Sequence, residues 1–127
     1  MNTLYDTIGL NYANLRKPDI RIAQRIDAAL GDAKSVLNVG AGAGSYEPTH
    51  RQVTALEPSA EMIQQRSASN ATVMQGRAEA IPYRDKTFDA SMAVLTIHHW
   101  TDRLNGVMEM RRVTRGTIVF LTYAPPF

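Results

Sequence analysis

Five residues constrain this chain more than any others: Gly40-Ala41-Gly42-Ala43-Gly44, directly after the short apolar run Ser35-Val36-Leu37-Asn38-Val39. A run of that kind, halted by glycines, reads as a buried parallel strand. In open α/β sheets, ligands bind outside the carboxyl ends of the strands, where the strand order reverses. Glycines at such a point let the backbone take positive φ and come close to a ligand. The spacing is GxGxG, with Ser45 where a third dinucleotide-type glycine would stand. Alone, the pattern suits a ligand cradle or only a tight turn.

The rest of the chain repeats the alternation. Ile20, Ile22, Ala23, Ile26, Ala29 and Leu30 fall at helical spacing, with Pro18 and Asp19 before them and Gly31 just past their end. Further strands are predicted at 52–57, 72–76, 88–95 and 117–122. A helix is expected at 59–67, with Ser59 as N-cap and Glu61 in its first turn, where the helix dipole favours an anion. A last helix is expected at 101–113, with Leu104, Val107, Met108 and Met110 inward. Strands alternating with helices imply a doubly wound α/β fold with a mainly parallel sheet. Only eleven residues, Pro48 among them, separate Gly40 from Gln52. A parallel crossover normally needs about a dozen, so at most a turn or two of helix fits there.

Composition narrows the function classes. There is no cysteine, which excludes disulfides, Cys-ligated zinc and a thiol nucleophile. No metal site is expected. No apolar run approaches the roughly 20 residues that span a bilayer. The start of the chain carries neither a basic leader nor an apolar core segment. A cytoplasmic protein without membrane partners is the plain reading. The net charge is +2, and the arginines are scattered apart from Arg111, Arg112 and Arg115. Nucleic-acid binders concentrate such charge on one face with aromatics, so no nucleic-acid partner is expected. The small cluster reads as a solvated helix end.

Glu57, at the end of the second strand, lies seventeen residues beyond Gly40. A carboxylate there offers two acceptor oxygens for the hydroxyls of a ribose. Coupled to the glycines it points to an adenosine-containing ligand. The pair does not separate NAD from S-adenosylmethionine.

Two later segments make that separation: Gly76-Arg77-Ala78-Glu79-Ala80-Ile81-Pro82 after the third strand, and Phe88-Asp89, which opens a strand leading to His98-His99. Together with Val36 to Gly42, with Glu57-Pro58-Ser59, and with Glu109 and Arg112 on the last helix, they resemble the class I, Rossmann-like S-adenosylmethionine-dependent methyltransferases. The likeness is to the small-molecule group that includes the ubiquinone and menaquinone biosynthesis enzymes. The resemblance runs from about Tyr5 to Thr122 and implies one domain, residues 1–127, with strand order 3-2-1-4-5. An NAD-linked oxidoreductase would keep the glycines and Glu57 but leaves 76–82 unexplained.

The resemblance also implies roles. The backbone at Gly40, Ala41 and Gly42 would lie against the methionine part of S-adenosylmethionine, with Asn38 below it. Glu57 would hold the ribose hydroxyls and Pro58 would pack on the adenine. Ala78 would offer its N–H to an adenine nitrogen, with Glu79 beside it. Leu95 and Thr96 would line the methionine side. Tyr12 and Arg16 are similar to an N-terminal lid, Arg16 facing the cofactor's carboxylate. His98, where a small-molecule substrate would approach, is the candidate general base. The alternative is that the two histidines serve the loop before the last helix.

The sequence departs from the family pattern at four places. Asn38 stands where an acid is usual, Arg77 where an Asp often bonds the adenine amino group, and Arg115-Gly116 where a Pro-Gly-Gly turn is usual. The chain also ends just past the fifth strand, where such enzymes continue through two more, so a fragment is expected. A non-catalytic module that binds the cofactor or its demethylated product, and needs a partner, is the alternative to an enzyme. The apolar strand 117–122, left as an edge with both faces uncovered, is expected either to pair with a second copy or to aggregate.

Overall fold

Five short apolar runs form one parallel sheet: β1 (Ser35–Val39), β2 (Gln52–Glu57), β3 (Thr72–Gln75), β4 (Ala90–Val94) and β5 (Ile118–Leu121). Their order is β3-β2-β1-β4-β5, in a computed structural model that describes residues 19–122. Every pairing is parallel. The expected lids Tyr12 and Arg16 lie outside the described residues. The strand order reverses at β1, whose neighbours are β2 and β4. A crevice is therefore expected at the carboxyl end of β1, where Gly40 begins the glycine run.

Strand alternation divides the core in two. Val36, Ala90 and Met92 meet Ile26 and Leu30 of helix α1 (Ile20–Leu30) on one face. Leu37, Val39, Leu56 and Ala93 meet Met110 and Val113 of helix α3 (Arg103–Val113) on the other. The central strands β1 and β4 are covered on both sides, the arrangement that continuous apolar strands require, whereas β3 at the edge is exposed along its length. Helix α1 begins where expected: the Asp19 carboxylate accepts the Arg21 N–H, and Gly31 closes the helix at φ 58°.

The crossover from β1 to β2 contains no helix. Residues 41–47 form two hydrogen-bonded turns, with Gly44 N donating to Ala41 O and Glu47 N to Gly44 O. Helix α2 (Ala60–Gln64) keeps its Ser59 cap but stops short of the expected Ser67.

Two expectations are corrected here. On α3, Leu104 and Met108 are 74% and 52% exposed, although both were expected to face inward. The buried stripe is Gly106, Met110 and Val113. Residues two apart on a helix are roughly 200° around its axis, so a helix that buries Gly106 turns Leu104 and Met108 outward. Gly106 is the contact because a Cβ there would lie 2.5 Å from Cε3 of Trp100. The helix seats on the indole at the one residue without a side chain.

The arginine cluster, expected to be a solvated helix end, is largely a clamp. Arg112 donates to the carbonyls of Ile81 and Tyr83, and pairs with Glu109 and Asp85. Arg115 donates to the carbonyls of Lys86 and Thr87, and pairs with Asp89. Asp89 also accepts the N–H groups of Lys34 and Ser35, locking the start of β4 to that of β1. Arg115 and those two amides hold its carboxyl at about 2, well below the usual carboxylate range. Apart from Glu109, one turn from Arg112 on the same helix, the partners of the two arginines lie 26 to 31 residues away, where sequence spacing could not reveal them.

Candidate functional site

The site grows out of the carboxyl end of β1. Gly40, Gly42 and Gly44 all have positive φ, at 67°, 55° and 88°. The Gly40 and Ala41 N–H groups both donate to the Leu56 carbonyl, tying the loop across to β2. A Cβ on Gly40 would lie 2.3 Å from Oγ1 of Thr96, so glycine is demanded by both torsion and space.

Glu57 anchors the loop from the end of β2. Its Oε1 accepts the Gly42 N–H at 2.7 Å, and its Oε2 accepts the Ser59 N–H at 2.9 Å. The carboxylate is only 7% exposed, yet each oxygen keeps acceptor capacity beyond these single bonds.

Opposite this loop stand the segment leaving β4 and the 3₁₀ turn Ala78–Ala80. Leu95 has φ 55°, rare for a bulky side chain and characteristic of strained functional positions. Its N–H donates to the Leu121 carbonyl at 2.7 Å, so β5 helps hold it there. The Glu79 carboxylate accepts the Asp102 N–H, fastening the 3₁₀ turn to the start of α3. As the first residue of its turn, Ala78 has an N–H that the turn itself leaves unused.

These elements enclose a cavity of about 800 Å³. That falls within the range of roughly 300–1,000 Å³ typical of small-molecule sites. Its walls include Asn38, Gly40, Ala41, Gly42, Glu57, Pro58, Ala78, Glu79, Leu95 and Thr96, which is every expected cofactor residue among those described. His98 is not part of the wall. Its neighbour His99 is, and the two rings lie with centroids 3.9 Å apart and planes tilted 44° in the 3₁₀ turn Ile97–His99.

Residues 37–120 match the family model described as a methyltransferase domain. The chain belongs to that family. S-adenosylmethionine is the family's cofactor. The methyltransferase YcgJ of Bacillus subtilis is 31% identical over 104 residues, 71% of this chain and 41% of that protein. The ubiquinone/menaquinone biosynthesis C-methyltransferase UbiE of a Geobacter strain is 30% identical over 114 residues, 76% of this chain and 48% of that one. Among solved structures, a protein of Anabaena variabilis named for methyl transfer in antibiotic biosynthesis superposes with a TM-score of 0.80. It is 35% identical, covering 85% of this chain and 47% of that one. The chain thus spans less than half the length of these relatives.

The methyltransferase domain fits its cofactor. The positive-φ glycines leave room for a ligand against bare backbone, and the buried Glu57 has acceptor capacity for two hydroxyls. Several wall residues were invisible to sequence reasoning, among them Met62, Gln65 and Trp100. Met62 reaches the loop from α2, its Cε 3.4 Å from where a Gly42 Cβ would stand. No local pattern marks such a residue, because it reaches the cavity only through the packing of α2 beside the loop. Asn38, at the position where the resemblance leads one to expect an acid, is 3% exposed and donates to Glu47 Oε2 at 2.8 Å. Arg77, the second departure from the expected pattern, is exposed on the cavity wall.

Proposed function

We propose that this chain forms the cofactor-binding part of an enzyme that moves the methyl group of S-adenosylmethionine to a small-molecule acceptor. The observation that carries the reading is the convergence of the glycine loop, Glu57 and the 76–82 segment on one cavity at the reversal of strand order. The cofactor supplies a methyl group already activated on a sulfonium. The protein's part is alignment and exclusion of water. Glu57 holds the ribose, Ala78 and Pro58 the adenine, and the Gly40–Gly42 backbone with Leu95 and Thr96 the methionine arm.

The two histidines stand where an acceptor enters. His99 is on the wall, and the His98 ring is in contact with it. The pKa of His98 is lowered, first by partial burial and then by the neighbouring His99 and Arg103. A histidine kept neutral can accept a proton at neutral pH. We assign the proton-accepting role for acidic acceptors to this pair, with His99 nearer the cavity than the expected His98.

Calorimetric titration with S-adenosylmethionine, S-adenosylhomocysteine and NAD tests the reading. Both sulfur ligands are expected to bind and NAD is not. Tighter binding of NAD than of S-adenosylhomocysteine would sink it.

For the outer edge of β5 the proposed partner is a second copy of the chain. This strand has no outer neighbour among the described residues, and Phe120 is 39% exposed. Contrary to expectation its faces are partly covered, since Val119 and Leu121 pack with the α1 cluster and Ile118 with the α3 cluster. The open edge itself is what invites pairing. Equilibrium sedimentation is expected to show a dimer that Phe120→Lys weakens; a concentrated monomer would contradict it.

Among the described residues no helix is long and apolar enough to cross a membrane.

A further inference from the structure

Directly behind the glycine loop lies an ion pair that touches no ligand space. Glu47 and Arg66 have side chains 8% and 6% exposed, and neither lines the cavity. Arg66 engages both carboxylate oxygens of Glu47, one through Nη1 at 2.9 Å and the other through Nη2. The same Nη1 donates to the Gly42 carbonyl at 3.2 Å. Glu47 Oε2 also accepts the Asn38 amide. With the Gly42 N–H on Glu57, both polar groups of the Gly42 residue are held by ionised side chains. Gly44 makes room for the pair: a Cβ there would lie 3.0 Å from Glu47 Oε1 and 3.1 Å from Arg66 Nη1.

A buried pair of this kind is a poor source of stability. Desolvating both charges offsets most of their attraction, and well-packed apolar residues often serve the fold as well or better. What apolar residues cannot supply is a forked donor that grips a carboxylate and a backbone carbonyl together. A helix is the usual device for holding the segment after β1, and this chain has only two turns there. We propose that Glu47 and Arg66 are positioning residues for cofactor binding, fixing the Gly40–Gly44 loop in its ligand-receiving shape in place of that helix. The proposal rests on the reading of the cavity as an S-adenosylmethionine site.

The test compares the full chain with Glu47→Met/Arg66→Met and with Arg66→Lys, by thermal melting and by titration with S-adenosylhomocysteine. The double variant removes both charges and keeps bulk. The single one keeps the charge but replaces the fork with a point donor. Each is expected to melt as a folded protein while binding the ligand at least about tenfold more weakly, the loss of one good hydrogen bond to a charged group. Unchanged affinity in either folded variant overturns the proposal, because the pair would then serve the fold alone. Loss of folding in both variants overturns it in the same way. An unaltered chain that fails to bind S-adenosylhomocysteine would instead refute the reading of the cavity.

Discussion

Gly40→Ala is expected to abolish measurable S-adenosylhomocysteine binding and to lower the melting temperature by roughly ten degrees or more. Two costs act at one atom. The left-handed torsion of 67° costs a non-glycine residue roughly 1–2 kcal/mol. The added methyl would also lie 2.3 Å from Oγ1, 2.8 Å from Cγ2 and 2.9 Å from Cβ of Thr96. Thr96 is 9% exposed, on a turn set by the strained Leu95, and cannot swing aside freely. Overpacking of this sort typically costs about 1–3 kcal/mol. Together these approach a large part of a small domain's total stability of roughly 5–15 kcal/mol. Any relief comes from moving the loop, which on the proposed reading is the ligand's own bed. Adding Thr96→Gly is expected to restore part of the stability, by removing the clash but not the torsional cost. Calorimetry and circular dichroism melts check both effects. An alanine variant with native affinity would show that the loop backbone is not part of the binding surface.

Glu57→Ala is expected to weaken S-adenosylhomocysteine binding by at least about a hundredfold, and Asn38→Ala by roughly tenfold. The carboxylate is buried, and on this reading its remaining lone pairs accept hydrogen bonds from two ribose hydroxyls. Hydrogen bonds to charged groups are worth about 1.5–3 kcal/mol each. Its removal also frees the Gly42 and Ser59 N–H groups, so the loop loses an anchor while the ligand loses its partner. Asn38 is neutral, and its amide is spent on Glu47. Its loss acts on the ligand through the loop as well as at the cavity wall, with no carboxylate bonds removed. Titration of both variants decides the ranking, and a weaker-binding Asn38 variant would reverse the two roles.

Much of the fold was legible because local rules and distant contacts agree. The strand order expected from the resemblance is the observed one, and Asp19, Gly31 and Ser59 cap the helices as their residue types suggest. Where they disagree, the tertiary contact prevails. Leu104 and Met108 have the composition of a buried face, yet α3 is turned by Trp100 seated on Gly106. His98 and His99 are indistinguishable as letters, and only the 3₁₀ turn after β4 places the second on the cavity wall.

By itself the sequence determined the kind of site, because its requirements are met one residue at a time. A glycine at positive φ, a carboxylate at a strand end and a hydroxyl cap each answer a need of the adjacent backbone. The tertiary structure alone decided which charges meet. Glu47 and Arg66 are 19 residues apart, Arg112 and Asp85 are 27 apart, and neither pair shares an element. Those meetings depend on how α2 and α3 settle on the sheet. That is set by side-chain volume and by where a glycine leaves a gap, and neither shows in the pattern of apolar and charged letters.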